Sequence, residues 1–198
     1  TQFFVFADTV AAKSFSRKEE GHGWLGVRFQ AAPHAEPSEV LVHARMWDLE
    51  NARQQEALGI LGVNLLHGAF YGSASPDALV GSLMDNLTRD RMEVDMIKFS
   101  GPAFAGVDNR LMSLQLVQHR LTNAAVFTSE GEVREPAELL YRKPVLIERG
   151  SFRPVTNVTH DMLLRAGEQM RQAPDMQGQE PVALMEMTIR NLMTPDQH

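Results

Sequence analysis

Met92-Glu-Val-Asp-Met-Ile-Lys-Phe99, then Ser100-Gly-Pro102, then Asp108-Asn-Arg-Leu-Met-Ser-Leu-Gln-Leu-Val117 together decide how the fold is read. The first run reads as a strand, and it ends at Pro102 because proline cannot donate to a ladder. Asp108 then suits a helix N-cap, and Leu111, Met112, Leu114, Gln115 and Val117 carry the helical period toward Leu121. Ala124 to Thr128 reads as a short buried strand. Strand, helix and strand in that order predict a βαβ crossover between parallel neighbours.

Working outward toward the N-terminus, Gln2–Ala7, Trp24–Ala31 and Glu39–Met46 are strand-like. In the third, Val40, Val42, Ala44 and Met46 alternate with Glu39, Leu41, His43 and Arg45. Ala32–Ser38, with Pro33 and Pro37, suits an exposed hairpin loop between the second and third. A helix is expected from an Asp48 cap to Tyr71, polar at first and then apolar on nearly every face, which predicts burial all round its later turns. Gly59, Gly62 and Gly68 each cost about 1 kcal/mol against Ala there, so close backbone packing is the expected reason for them. Ser75-Pro76 reads as a cap and first helical position, with Leu79, Val80, Leu83, Met84 and Leu87 as the buried stripe.

Beyond residue 128, Ser129–Glu132 reads as a turn, Pro136–Leu140 as a short helix and Lys143–Glu148 as a strand. A helix from Thr159 to about Gln172, a polar linker over 173–181 and the apolar run Val182–Met193 complete the chain. The fold class predicted is α/β: a mixed sheet with a parallel βαβ portion, an N-terminal antiparallel meander and packed helices. We expect a single domain over 1–198. The apolar C-terminal run predicts either the N-terminal part of a longer chain or a homo-oligomer that completes its core.

Composition sets the outer limits. At 198 residues, such a chain buries roughly 70% of the surface its unfolded form exposes, enough for a core without staples. The absence of cysteine excludes thiol catalysis, cysteine-based zinc sites and disulfides. A formal charge of −6 offers no positive field to nucleic acid or anionic lipid, so no nucleic acid is expected as a partner. No apolar run approaches the roughly 18 residues of a membrane span, and Thr1–Asp8 lacks a basic flank and a long apolar stretch, so no membrane and a cytoplasmic location are expected.

Among motifs, the Walker, dinucleotide, nucleophile-elbow and H-E-x-x-H patterns are all missing. Histidines never recur at i+3 or i+4, so no metal site is predicted from spacing, and tertiary convergence alone could make one. Gly21-His22-Gly23-Trp24 could present His22 flexibly to a ligand, but a turn entering a strand uses glycine equally well and is the favoured reading. His160-Asp161 reads as two helix-start residues.

The densest cationic stretch is Arg142-Lys143 with Arg149-Gly-Ser151-Phe-Arg153-Pro-Val-Thr156. In a parallel sheet, ligands bind beyond the C-terminal strand ends, and arginine forks suit carboxylate or phosphate. The expected site is therefore a crevice between the loops after residues 99 and 148. Its expected lining is Asp108, Asn109, Arg110, Arg149, Ser151, Arg153 and Thr156, around a small anionic ligand. The alternative is a non-enzymatic assembly or dimerisation domain. Neither a reaction, a catalytic residue nor a cofactor follows from these residues.

Phe3–Thr9, Gln54–Asn64, Val107–Val117 and Lys143–Thr156 resemble the N-terminal part of a family of uncharacterised bacterial cytoplasmic proteins. Some carry the labels TonB-dependent receptor or nicotinate-nucleotide adenylyltransferase. The first would need a run of barrel strands and the second an H-x-G-H motif, and neither is in the sequence. The resemblance implies a fold unit that continues past residue 198 and implies no mechanism.

Overall fold

Alternation along four segments builds the first part of the structure, a computed structural model that describes residues 3–12, 20–71 and 75–193. Strands β1 (Phe3–Ala11), β2 (Gly21–Gln30), β3 (Ser38–Met46) and β4 (Met92–Ser100) form an antiparallel sheet in the order β1-β2-β3-β4. Leu25, Val27, Val40, Val42, Ala44, Val94 and Ile97 are buried on one face. Helices α1 (Asn51–Tyr71) and α2 (Pro76–Ser82) cover that face with Leu61, Leu65 and Leu79, and α3 (Asn109–Gln118) adds Met112 and Leu116. Each fully buried aliphatic side chain contributes about 1.5–3 kcal/mol, and this layer is the core of the unit. The N-terminal meander and its β2–β3 hairpin are as expected, although β2 starts at Gly21 and β1 runs through Asp8 to Ala11. Gln2, the expected start of the first strand, lies outside the described residues.

The crossover at residues 92–128 does not form. After α3, Arg120 turns the chain with φ 61°, and the Leu121 carbonyl accepts from the Val94 N–H at the edge of β4. Thr122 Oγ1 bonds Glu93 Oε1 at 2.6 Å. The chain thus meets β4 through isolated bonds, and the next strand, β5 (Val126–Phe127), pairs antiparallel with β6 (Val133–Arg134) in a separate half-buried hairpin around the expected turn.

Contacts divide the chain into two compact units, Thr1–Glu135 and Pro136–His198. The second unit begins with α4 (Pro136–Leu140) and contains the parallel portion: β7 (Val145–Arg149), α5 (Asn157–Gln172) and β8 (Val182–Glu186), with β7 parallel to β8. The βαβ arrangement is therefore present but lies 53 residues further along than the pattern suggests, counting from Met92 to Val145. A short helix, α6 (Ile189–Met193), follows β8. Within 173–181, Pro174–Met176 forms a 3₁₀ turn and Met176 is buried, so that stretch is not wholly polar surface.

Helix details differ for identifiable reasons. α1 begins at Asn51 because Asp48 is engaged elsewhere: Oδ2 accepts from Arg91 Nε at 2.8 Å, and its carbonyl accepts from Gln54 Nε2 at 2.7 Å. The later turns of α1 bury one stripe only, for Val63 is 65% and Tyr71 81% exposed. Of its glycines, a Cβ on Gly62 would meet Phe6 Cζ at 3.0 Å and one on Gly68 would meet Leu79 Cγ at 2.7 Å, whereas Gly59 faces open space. Close packing explains two of the three. Ser75 makes no side-chain cap bond, so Pro76 and the Leu79 N–H to Ser75 carbonyl bond start α2, and Leu83 to Leu87 lie beyond its end.

Candidate functional site

Each of the sequence-selected residues has a defined place. Asp108 caps α3, accepting from the Arg110 backbone N–H at 2.9 Å, and its carboxylate also takes Arg110 Nε at 3.0 Å and Nη2 at 2.6 Å. The Arg110 side chain and backbone N–H hold the Asp108 carboxyl at about 2, well below its ordinary 3.8. Asn109 clips the end of β4, Oδ1 accepting from Phe99 N–H at 2.7 Å and Nδ2 donating to its carbonyl at 3.0 Å. In the second unit, Arg149 Nη2 donates to both Glu186 carboxylate oxygens at 2.8 and 2.9 Å across the β7–β8 pair. Arg153 Nη2 donates to the Leu192 carbonyl. Thr156 caps α5 through the Thr159 N–H at 3.2 Å, and Ser151 is exposed. The loops after residues 99 and 148 thus belong to different units, and each arginine has an internal partner that an anion would have to displace.

A different group of residues converges in the first unit. The side chains on β2 and β3 that alternate with the core set include His22, Trp24 and His43, on the face opposite α1 and α2. Regular alternation along β4 would follow Val94 with Met96 and Lys98 on the core face; instead Val94, Ile97 and Phe99 share the core and Lys98 is exposed. The register explains it: His43 pairs with Met96 but Ala44 pairs with Val94, leaving Asp95 as the extra residue of a β-bulge. A bulge re-aims a side chain, and this one directs Asp95 at His43. His43 Nδ1 and Asp95 Oδ1 are hydrogen-bonded at 2.6 Å, with both side chains only 3% exposed.

Glu135, next after β6, joins them. His43, Asp95 and Glu135 are all buried, and each offers a ligand atom such that all three atoms lie within 4.8 Å of one another. On the solvent side, His22 Nδ1 lies 3.3 Å from His43 Nε2. The Trp24 ring sits 4.8 Å from the His43 ring, a wall beside the imidazole. Gly21 and Gly23, flanking His22, face the other way. A Cβ on Gly23 would come within 2.9 Å of the Thr9 carbonyl oxygen, and one on Gly21 within 2.6 Å of Gln54 Oε1. The strand carrying His22 is therefore held close to both β1 and α1, and the segment is strand rather than turn.

Imidazole and carboxylate together are the donor set for borderline divalent ions, and a divalent charge matches the formal charge of two carboxylates beside a neutral imidazole. The same atoms also make an acid–base array, since Asp95 orients His43 as a carboxylate orients a catalytic imidazole. Spacing in sequence could not reveal the group, because partners lie 21 and 52 positions apart. One signal was present: the apolar pattern of β4 changes phase between Val94 and Ile97, which is how a bulge appears in a sequence.

No protein-family model matches the chain, and no curated protein or solved structure is significantly similar to it. No described helix is long and apolar enough to cross a membrane.

Proposed function

We propose that the first unit binds a divalent cation at the cluster centred on His43. The observation that carries this reading is the convergence of His43, Asp95 and Glu135, all buried, with their ligand atoms within 4.8 Å of one another. Ionisable groups are rarely fully buried unless they are paired or coordinate a metal. The arrangement supports chemistry of two kinds. A bound ion can polarise an oxygen or activate a water; where no ion occupies Nε2, His43, oriented by Asp95, can instead move a proton there.

The test is calorimetric titration of the untagged chain with Zn²⁺, Mn²⁺ and Mg²⁺, paired with thermal unfolding. An ion present at about 100 times its dissociation constant should stabilise the fold by about 2.7 kcal/mol. The expected result is one ion per chain, with binding lost in His43→Gln. Failure of every ion to bind the folded wild-type chain, or undiminished binding by His43→Gln, overturns the reading.

A further inference from the structure

We infer that His22 is a second nitrogen ligand and that the ion sits on the solvent side of His43, against the edge formed by His22 Nδ1 and His43 Nε2; this rests on the cation-binding reading above. The site then belongs to the zinc class of ions, with Asp95 as a positioning residue rather than a ligand.

The argument starts from hydrogen atoms. An ionised Asp95 can only accept, so the 2.6 Å contact places the hydrogen of a neutral His43 on Nδ1. Nε2 then carries a lone pair, and it faces His22 Nδ1 at 3.3 Å. Tetrahedral zinc with Zn–N bonds of about 2.0–2.1 Å separates two ligating nitrogens by about 3.3–3.4 Å. The two imidazoles thus already stand at the spacing of one edge of such a coordination shell. A hydrogen donated from His22 Nδ1 can bridge the same pair, and an ion replaces it once His22 moves that hydrogen to Nε2, a tautomer change with no net proton released from neutral rings.

Second, the carboxylate is in the place where a metal-binding histidine ordinarily finds one. Ligating imidazoles donate their other N–H to a carboxylate or carbonyl, which sets the tautomer and raises ligand basicity. Asp95 on Nδ1 does this for a metal on Nε2, and the bulge aims it there. Third, the backbone fixes the pair. Trp24 is opposite His43 and Arg45 opposite His22 in the β2–β3 register, so the two histidines are diagonal neighbours on one sheet face. The rings are tilted by 52° with centroids 5.5 Å apart, which is an edge-on approach rather than a stack. His22 is exposed while His43 is buried, so an ion reaches the edge from solvent.

The experiment is Zn²⁺ titration of the full chain, wild type against His22→Ala and His22→Gln, with Co²⁺ spectra recorded in parallel and circular dichroism to verify folding. Wild type should bind Zn²⁺, show the intense visible bands of tetrahedral Co²⁺, and show no measurable Mg²⁺ or Ca²⁺ binding. Both His22 variants should lose at least tenfold in Zn²⁺ affinity and the tetrahedral bands. Asp95→Asn, which keeps an acceptor for Nδ1–H, should weaken binding by about 10–100-fold without abolishing it, as orienting partners do. Folded His22 variants that bind like wild type, while His43→Gln does not bind, overturn this inference and leave the cation reading standing, with the ion on the Asp95 side. A wild-type chain that binds no ion overturns both.

Discussion

Asp95→Asn and Asp95→Ala, compared in ion-free protein, test the bond on which the tautomer of His43 depends. Asparagine can still accept from Nδ1–H through its amide oxygen, so this change converts a charge-assisted hydrogen bond into a neutral one and costs about 1 kcal/mol. Alanine leaves a buried neutral N–H with no acceptor, which costs about 1–3 kcal/mol. The environment places it at the upper end, since the side chains of His43 and Asp95 are each 3% exposed and water cannot readily replace the lost partner. For a unit of this size, each kcal/mol moves the melting temperature by about 4 °C, so Asn should lower it by about 4 °C and Ala by about 12 °C. Calorimetric unfolding measures both, and ¹⁵N spectra of His43 should report hydrogen on Nδ1 in wild type. If Ala and Asn melt together, or the hydrogen is found on Nε2, the 2.6 Å bond is not what orders this pair and the argument about Nε2 falls with it.

The glycines of α1 separate packing from propensity. Gly59→Ala faces open space and should gain up to about 1 kcal/mol, while Gly68→Ala places a methyl 2.7 Å from Leu79 Cγ and should lose about 1–2 kcal/mol net of the same helix gain; equal shifts in denaturant midpoint would contradict the α1–α2 contact. Asp108 should titrate at about 2 and Arg110→Ala should return it toward 3.8, followed by carboxyl NMR. Because the folded value is depressed, any stability the contact contributes is present above 3.8 and disappears as pH falls through about 2. A wild-type titration at 3.8 would refute the Arg110 contact.

Local chemistry makes most elements legible. The Asp108 cap, the proline start of α2 and the alternation of β3 each act within a few residues, and each appears where local rules put it. The parallel pair is misplaced by the same rules because 92–128 and 145–186 both show strand, helix and strand. What decides between them is whether the last strand returns to the first. In the first case Arg120 and the Leu121–Val94 bond stop that return, and in the second β8 completes it. The arginines follow a related rule: local pattern locates them but not their partners. Glu186 for Arg149 and the Leu192 carbonyl for Arg153 come from 37 and 39 residues away.

The candidate metal centre is illegible in the sequence for a deeper reason. A sheet covered by helices on one face ordinarily leaves polar residues on the other in water, so His43 in its alternating pattern reads as surface. Thr122 and Glu135 are buried along with it, which shows that the far side of the sheet is not simply solvent at this point. Burying that face with apolar residues would have been the more direct way to stabilise it, because a buried ion pair contributes little net stability over well-packed hydrophobic residues of similar volume. A His–Asp pair aimed by a bulge, with a second carboxylate beside it and a second imidazole at 3.3 Å, is thus poorly explained by stability alone. The bulge also interrupts a ladder that packing would otherwise favour. Departures from local rules of this kind concentrate where function requires them, and here the departure in β4 serves to place one carboxylate against one imidazole.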